Sequence, residues 1–454
     1  MKNLPVKTAI IFLTILHIGC KKLVEIDSPI TLLDQKTLFQ NDDLATSVIT
    51  GVYADMASGQ GFNSVDYLCG LSADEFDNYS SSALPSEYFN NQLSPLNTIN
   101  TSYYGNQYNY IFRSNAVIEG VDGSTSLTPS TKSQLKGEAL FIRAFCYFYL
   151  VNLYGPVPLQ FETDYRRTRS TKRSSVNEVY QQIVLDLKNA ENLLTDNYIT
   201  TERVRPNRAA AQALLARVYL FMQDWSEAEK YSTLLISNSS TYKLLSPDEV
   251  FLKNSSEAIW QLFPPLNSNA LEGSFFILTG MPTTVALSSK FIKEAFEIND
   301  KRSTSWINVL ATSSGDYYYP YKYKTGYSST PMEYSMVMRL GEQFLIRSEA
   351  RAQQNNLTGA IDDLDKIRKR AELPIIKNTN PGISKDVLLT AIQKERRVEL
   401  FSEWGHRWLD LKRTNQANVI LSPVKSNWQE TDILYPIPYD ETSRNSNITQ
   451  NLGY

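Results

Sequence analysis

Glu395 and Glu399 stand four residues apart in a helical stretch, on one face in line with Leu388 and Ile392. Such a carboxylate pair could serve a glycosidase, one group protonating the leaving oxygen while the other stays ionised. That division of labour needs opposed environments, and Arg396, Arg397, Arg407 and Arg413 crowd the same segment. Neighbouring cations favour the ionised form of both carboxylates, so the pair reads as a structural ion-pair network. His406 is the histidine available to a nucleophilic triad, and inside "EWGHRWLDLKR" packing is its simpler role. The other of the two histidines, His17, lies near the start of the chain, which leaves no ready two-His zinc motif. No G-x-S-x-G elbow and no GK[ST] occurs, and Gly59-Gln60-Gly61 is not followed by a third glycine at the phosphate-loop position. The acidic run Asp362-Asp363-Asp365 reads as a solvated helix face, with a calcium site as the alternative. No catalytic residue, metal ligand or cofactor is expected.

The chain around these residues has 454 positions, enough for a large core without disulfide staples. Its 45 Lys+Arg against 48 Asp+Glu give a formal charge of −3, with no basic excess to hold a polyanion, so nucleic acid is not an expected partner. The unusual component is aromatic. Twenty-seven Tyr, 19 Phe and 6 Trp make 11% of the residues, and many of the tyrosines stand in Asn/Ser-rich stretches, as in a binding surface.

Residues 1–19 read as an export signal: Lys2 and Lys7 form a positive start, and Thr8 to Ile18 is an apolar stretch too short for a permanent span. "ILHIGC" resembles a bacterial lipobox, which makes Cys20 the lipid anchor; an ordinary signal peptide with an incidental cysteine is the alternative. Cys69 and Cys146 remain, the latter in the apolar run "FIRAFCYFYLV", where a buried free thiol is the default and a disulfide stays possible.

The mature chain, 20–454, reads as one domain with an N-terminal part to about 240 and a C-terminal part from about 241. Apolar residues at three- and four-residue spacing predict helices at about 41–56, 106–120, 132–153, 175–195, 207–222, 225–237, 286–297, 340–354, 357–371 and 384–403. Helix 132–153 is apolar nearly all round and should be the buried hub. "LLARVYLFMQDWSEAEKYSTLLI" from Leu214 and "IRSEARAQQNNLTGAIDDLDKIR" from Ile346 repeat one another, with Ala228 and Ala360 fourteen residues after the first aliphatic, as in a tetratricopeptide pair. Helical repeats are thus expected over about 106–237 and 340–412. Between them, about 57–105 and 239–338 read as loops rich in Ser, Asn, Gly and aromatics, which is where a ligand site is expected. The tail from Asn415 should pack as extended chain over the helices.

Four motifs carry a resemblance: "GEALFIRAFCYFYLVNLYGPVPL" from Gly137, "MRLGEQFLIRSEARAQ" from Met338, "KERRVELFSEWGHRWLDLKR" from Lys394 and "LYPIPYDETSRNSNITQNLGY" from Leu434. In their order and spacing they resemble the SusD/RagB family of nutrient-binding surface lipoproteins of Bacteroidota. Ser446 and Leu452 depart from the family ending, which usually has proline there. The resemblance implies a mostly α fold: a tetratricopeptide-like helix-pair scaffold with an irregular, loop-rich ligand-binding region carrying small strands. It further implies a lipid-anchored location on the outer membrane, capture of an oligosaccharide or other nutrient, delivery to a TonB-dependent barrel transporter, and no catalysis. Glu395, Arg396, Glu399, Gly405, Arg407, Asp410 and Asn451 then become scaffold residues. A secreted glycan hydrolase and a protein-only tetratricopeptide adaptor are the competing readings; the first needs carboxylates in opposed environments, the second predicts no aromatic-rich loops.

Sugar rings pack their C–H faces on aromatic rings and need amide or carboxylate partners for their hydroxyls. The ligand site is therefore placed where an early loop (Asn78, Tyr79, Tyr88, Tyr103) meets a late one (Trp306, Tyr317, Tyr318, Tyr319, Tyr321). Each ring fits equally well as a pin holding a long loop to the scaffold, and Trp306 in "NDKRSTSW" also fits a core position.

Overall fold

The computed structural model describes residues 35–58, 64–265, 268–328 and 330–454. The expected leader and Cys20 lie outside them, as does Gly59-Gln60-Gly61. Helices dominate: α1 (Asp42–Ala57), α2 (Ser64–Ser72), α3 (Ala83–Phe89), α4 (Thr98–Gly123), α5 (Pro129–Tyr154), α6 (Val176–Leu193), α7 (Arg208–Phe221), α8 (Trp225–Ser237), α9 (Leu271–Phe276), α10 (Lys301–Ser305), α11 (Leu340–Gln353), α12 (Leu357–Arg370), α13 (Lys385–Glu399), α14 (His406–Arg413) and α15 (Ala417–Leu421). The short strands used below are β1 (Phe76–Asn78), β2 (Ala258–Leu262), β3 (Val285–Leu287), β4 (Ile307–Thr312), β5 (Gly315–Pro320) and β6 (Ser335–Arg339). They pair only in antiparallel twos, β1 with β3, β2 with β6, and β4 with β5.

The hub is α5. Its sequence has Thr128 as a side-chain cap, Pro129 in the first turn where no amide is needed, and Gly155 at φ 72° as the stop. Every residue from Gly137 to Val151 is buried, and α4 and α6 flank it. The repeated segments form the pairs α7–α8 and α11–α12, with Leu214, Ala228, Ile346 and Ala360 all closed from solvent.

Each pair turns through the same chemistry. Gln223 and Asn355 take left-handed backbone, at φ 59° and 64°. The next amides, of Asp224 and Asn356, donate to Tyr219 and Arg351 carbonyls at 2.9 Å, so the exposed helix end is satisfied by a Schellman closure. Asp224 and Asn356 then cap the following helix with their side chains. A third closure of this kind, through Asn415 at φ 55°, joins α14 to α15.

Four expectations need correction. The stretch 57–105 is not a loop, because it holds α2, α3 and the first turns of α4. The helix expected over 286–297 shrinks to Ser289–Glu294, and the one expected to 403 ends at Glu399. The acidic run is not a solvated face: Asp363 is buried against Arg347 and Arg351 at 2.7 and 2.9 Å, and Asp365 accepts the Ile376 and Lys377 amides. Asp362 alone stays exposed, beside Lys377. Cys69 and Cys146 are buried free thiols.

The tail packs as extended chain between short helical turns. Tyr435 N–H donates to Leu153 O at 2.8 Å, and Asn451 Nδ2 donates to Tyr154 and Tyr435 carbonyls at 2.9 and 2.7 Å. Gly405 sits at φ 69°, and a Cβ there would lie 2.9 Å from Cys69, so the turn into α14 needs a glycine.

Candidate functional site

β1 extends past its last ladder residue, with the Tyr79 amide donating to Thr284 O at 2.8 Å. This pairing, from Phe76↔Leu287 to Asn78↔Val285, carries the early segment onto the late one, since β3 in turn contacts β5. Tyr79 and Tyr317 meet edge to face, with ring centroids 5.5 Å apart. Tyr79 remains 39% exposed and Tyr317 is half-buried. Asn78 beside them is half-buried, with its amide donating to Ser86 Oγ at 2.9 Å and its carbonyl accepting Ser80 N–H at 3.1 Å. Burial, then the nearby Asp77 and Tyr317, push the Tyr79 hydroxyl up, so it stays a neutral donor and acceptor.

Strand alternation explains the rest of the tyrosine run. Leu310↔Tyr317 and Asn308↔Tyr319 are cross-strand neighbours on one side of the β4–β5 hairpin, and Val309↔Tyr318 lies on the other. Tyr319 is buried with its ring 6.0 Å from Tyr321, and Tyr318 packs against the core. Tyr321 is half-buried, with Lys324 Nζ 4.2 Å from its ring centroid.

Three of the expected site residues belong to the core. Tyr88 ends α3, closed from solvent, edge-on to Tyr435 at 5.4 Å. Tyr103 lies on α4 and faces inward because its segment is helix. Trp306 caps α10 with no exposed surface; its indole donates to Pro247 O at 2.8 Å, and Lys322 Nζ lies 4.7 Å from the ring centroid. None of the three can touch a bound molecule in this conformation.

Below Trp306 lies the carboxylate pair that opened the sequence analysis. Glu395 and Glu399 do sit in an ion-pair network, but their partners come from elsewhere in the chain. Arg302 reaches Asp300, Glu395 and Glu399 at 2.8, 2.7 and 3.0 Å. Arg339 reaches Glu257, Glu399 and Glu403 at 3.0, 2.5 and 2.8 Å. Arg368 meets Glu395 at 3.1 Å, and Arg370 meets Glu257 and Glu399. Burial would raise the Glu399 carboxyl, but Arg370, Arg339 and Arg302 hold it well below the usual range. A group so held cannot be a general acid. The local arginines are used differently: Arg396 and Arg413 take Asp410, and Arg397 and Arg407 share Asp74. His406 is buried, its Nε2 4.0 Å from a Glu342 that Arg217 grips at 2.8 and 2.7 Å. Burial, only partly offset by Glu342, lowers His406 to about 4, which leaves the imidazole neutral.

A second group of buried acids interacts around Asp66. Asp66 on α2, Glu75 before β1 and Glu272 on α9 are all buried. Glu75 Oε1 and Glu272 Oε2 have no hydrogen-bond partner among the described residues, while Asp66 accepts the Trp404 amide. Burial, then Asp74, raises Glu75 to about 7, and burial, then Glu272, raises Asp66 well above its ordinary value. No group of His, Cys, Asp and Glu that could hold a metal occurs among the described residues, and no described helix is long and apolar enough to cross a membrane.

Two family models match the chain: one described as starch-binding, associating with the outer membrane, over residues 25–220, and one described as the SusD family over 297–454. The chain belongs to the SusD/RagB family. SusD-like protein P2 of Formosa agariphila is 26% identical with all of both chains covered. A solved SusD superfamily protein from Bacteroides vulgatus has a TM-score of 0.80 at 21% identity, over 92% of this chain and 100% of its own. A structure titled laminarin binding SusD-like protein has a TM-score of 0.76 at 25% identity, over 91% of this chain and 100% of its own. The SusD-like scaffold these share is the mostly α, helix-pair architecture described above.

Proposed function

We propose that this chain is a surface lipoprotein that captures an oligosaccharide on the face formed by Asn78, Tyr79 and Tyr317 and passes it to a TonB-dependent barrel. The observation that carries the reading is the exposed Tyr79–Tyr317 pair, two rings from sequence-distant segments held 5.5 Å apart beside an amide. A sugar ring can lay its C–H face on such rings while its hydroxyls meet the phenols. Family membership and the laminarin-binding neighbour support a glycan as the ligand class. Tyr321, half-buried, is the flanking contact in this reading, whereas Tyr318 lies on the other side of the hairpin against the core. Tyr319 supports the hairpin from beneath.

The mature protein would run from Cys20, with residues 1–19 removed and acyl chains on Cys20 holding it to the outer membrane. The role is binding without chemistry: arginines occupy both Glu395 and Glu399 inside the ionic lattice, and Glu399 is held well below the usual range. Two measurements test this. Calorimetry of the mature protein against a panel led by laminarin oligosaccharides should give saturable binding. Purification of the native protein in mild detergent should bring down a barrel, and fractionation of Cys20→Ala should find it off the membrane when that barrel is deleted. No glycan binding, or an unanchored variant that still sediments with the outer membrane, would overturn the reading.

A further inference from the structure

A cavity of about 730 Å³ opens in the helical body, within the roughly 300–1,000 Å³ typical of ligand pockets. It is bounded by the ends of α11 and α14, the outer face of α13 and the start of α8. It shares no residue with the Tyr79–Tyr317 face.

Its charges do not balance. Arg413 is neutralised, gripping Glu349 at 2.6 Å and Asp410 at 2.6 Å. Arg397 and Arg407, by contrast, divide the single carboxylate of Asp74 at 2.8 and 2.7 Å, with the buried Glu75 as the next acid beside both. Arg397 Nε finds no hydrogen-bond partner among the described residues. Lys394, on the same wall one turn earlier, is half-exposed and approaches an acid only at Glu297, 3.6 Å away. Burial and the like charge of Arg407 lower Arg397, partly offset by Asp74, Glu75 and Glu294, and the lining itself holds four cations, Lys394, Arg397, Arg407 and Arg413, against the carboxylates of Glu349 and Asp410. The remaining lining is of another kind. Trp225 supplies an aromatic surface, and Asn415 and Gln416 supply exposed amides at the turn between α14 and α15.

An aromatic ring, free amides and surplus guanidinium and ammonium charge are the complement of one ligand class. We propose that this cleft is a second ligand site, for an acidic saccharide: a sugar ring that carries a carboxylate or a sulfate ester. Arg397 and Lys394 take the anionic group, Asn415 and Gln416 the hydroxyls, and Trp225 the ring. The site stands independently of the Tyr79–Tyr317 reading, because neither its lining nor its charge involves that face.

The test is calorimetry on the full mature chain with three trisaccharides: a galacturonate, a sulfated galactan fragment and a neutral glucan. One or both acidic probes should bind, with affinity falling as salt rises, and the neutral one should not bind here. Which acidic probe wins identifies carboxylate or sulfate as the recognised group. Lys394→Glu, at an exposed position, should weaken the acidic probe by roughly tenfold or more through charge repulsion, and Arg397→Gln should do the same where its melt stays native. Tyr79→Ala should leave this binding unchanged. Failure of both acidic probes, equal binding of the neutral one to the Tyr79→Ala/Tyr317→Ala variant, indifference to Lys394→Glu, or full competition by inorganic sulfate at equal concentration would each overturn the proposal.

Discussion

Around Arg339 each of the buried carboxylates Glu257, Glu399 and Glu403 faces at least one guanidinium, whereas in the group around Asp66, Glu75 and Glu272 each keep an oxygen without a hydrogen-bond partner among the described residues. Both regions are closed to solvent, so the difference is one of pairing. In the first, the opposed charges hold Glu399 and Glu403 below the usual range and tie β2, β6, α10, α12 and α13 into one body. In the second, burial outweighs the nearby Arg407, Arg397 and Lys322 at Glu75 and raises it to about 7, immediately before the strand that leads to Tyr79.

The comparison breaks most severely at Arg339. Arg339→Ala leaves Glu257, Glu399 and Glu403 short of a buried partner and should destabilise by about 3–5 kcal/mol, read from chemical denaturation midpoints. Trp306→Ala comes next. It opens a cavity under Lys322 and frees the Pro247 carbonyl, at a cost of about 3–5 kcal/mol as a truncated core aromatic, with cooperative unfolding retained.

Glu75→Gln should act in the opposite direction. The folded chain holds this carboxyl at about 7 against an ordinary 4.5, so the folded state binds a proton that the unfolded state has released. Stability therefore falls as pH rises from about 4.5 to 7 and is level above that range. The amide removes this slope, so the variant should match the parent at pH 4 and exceed it by something on the order of 1–3 kcal/mol at pH 8. Thermal or urea melts at the two pH values decide it, and a variant equally destabilised at both would mean that Glu75 is ionised and paired. The smallest stability effect belongs to the exposed ring. Tyr79→Ala should stay within about 0.5 kcal/mol of the parent while losing about 1–3 kcal/mol of glycan affinity.

Much of the scaffold was legible because it is written locally. Leu214 with Ala228 and Ile346 with Ala360 mark two helix pairs by spacing alone, and the unbroken apolar surface of 132–153 marks the hub. Tyr88 and Tyr103 were misplaced for a physical reason: α3 is a seven-residue helix with Pro85 inside it, and the start of α4 is built from Asn, Ser, Thr and Tyr, neither showing a long apolar period. Their helical state is fixed by capping, through Ser82 and Asn97, and by packing. The meeting of Asn78–Tyr79 with the Tyr317 hairpin was anticipated from composition, yet the strand pairing that achieves it, β1 on β3, has no local signal. Partner identities in the ionic lattice were equally hidden. Arg302, Arg339, Arg368 and Arg370 reach Glu395 and Glu399 across 27 to 97 positions, and only the folded topology decides that they outcompete Arg396 and Arg397.

A glycan array probed with the mature protein and with the Tyr79→Ala/Tyr317→Ala double variant tests the central claim most directly. The account predicts that the parent marks a set of neutral oligosaccharides, that the double variant loses those spots with an unchanged thermal melt, and that any acidic spots persist. Neutral-glycan signals that survive the double substitution undiminished, or a parent that marks no glycan at all, would contradict it.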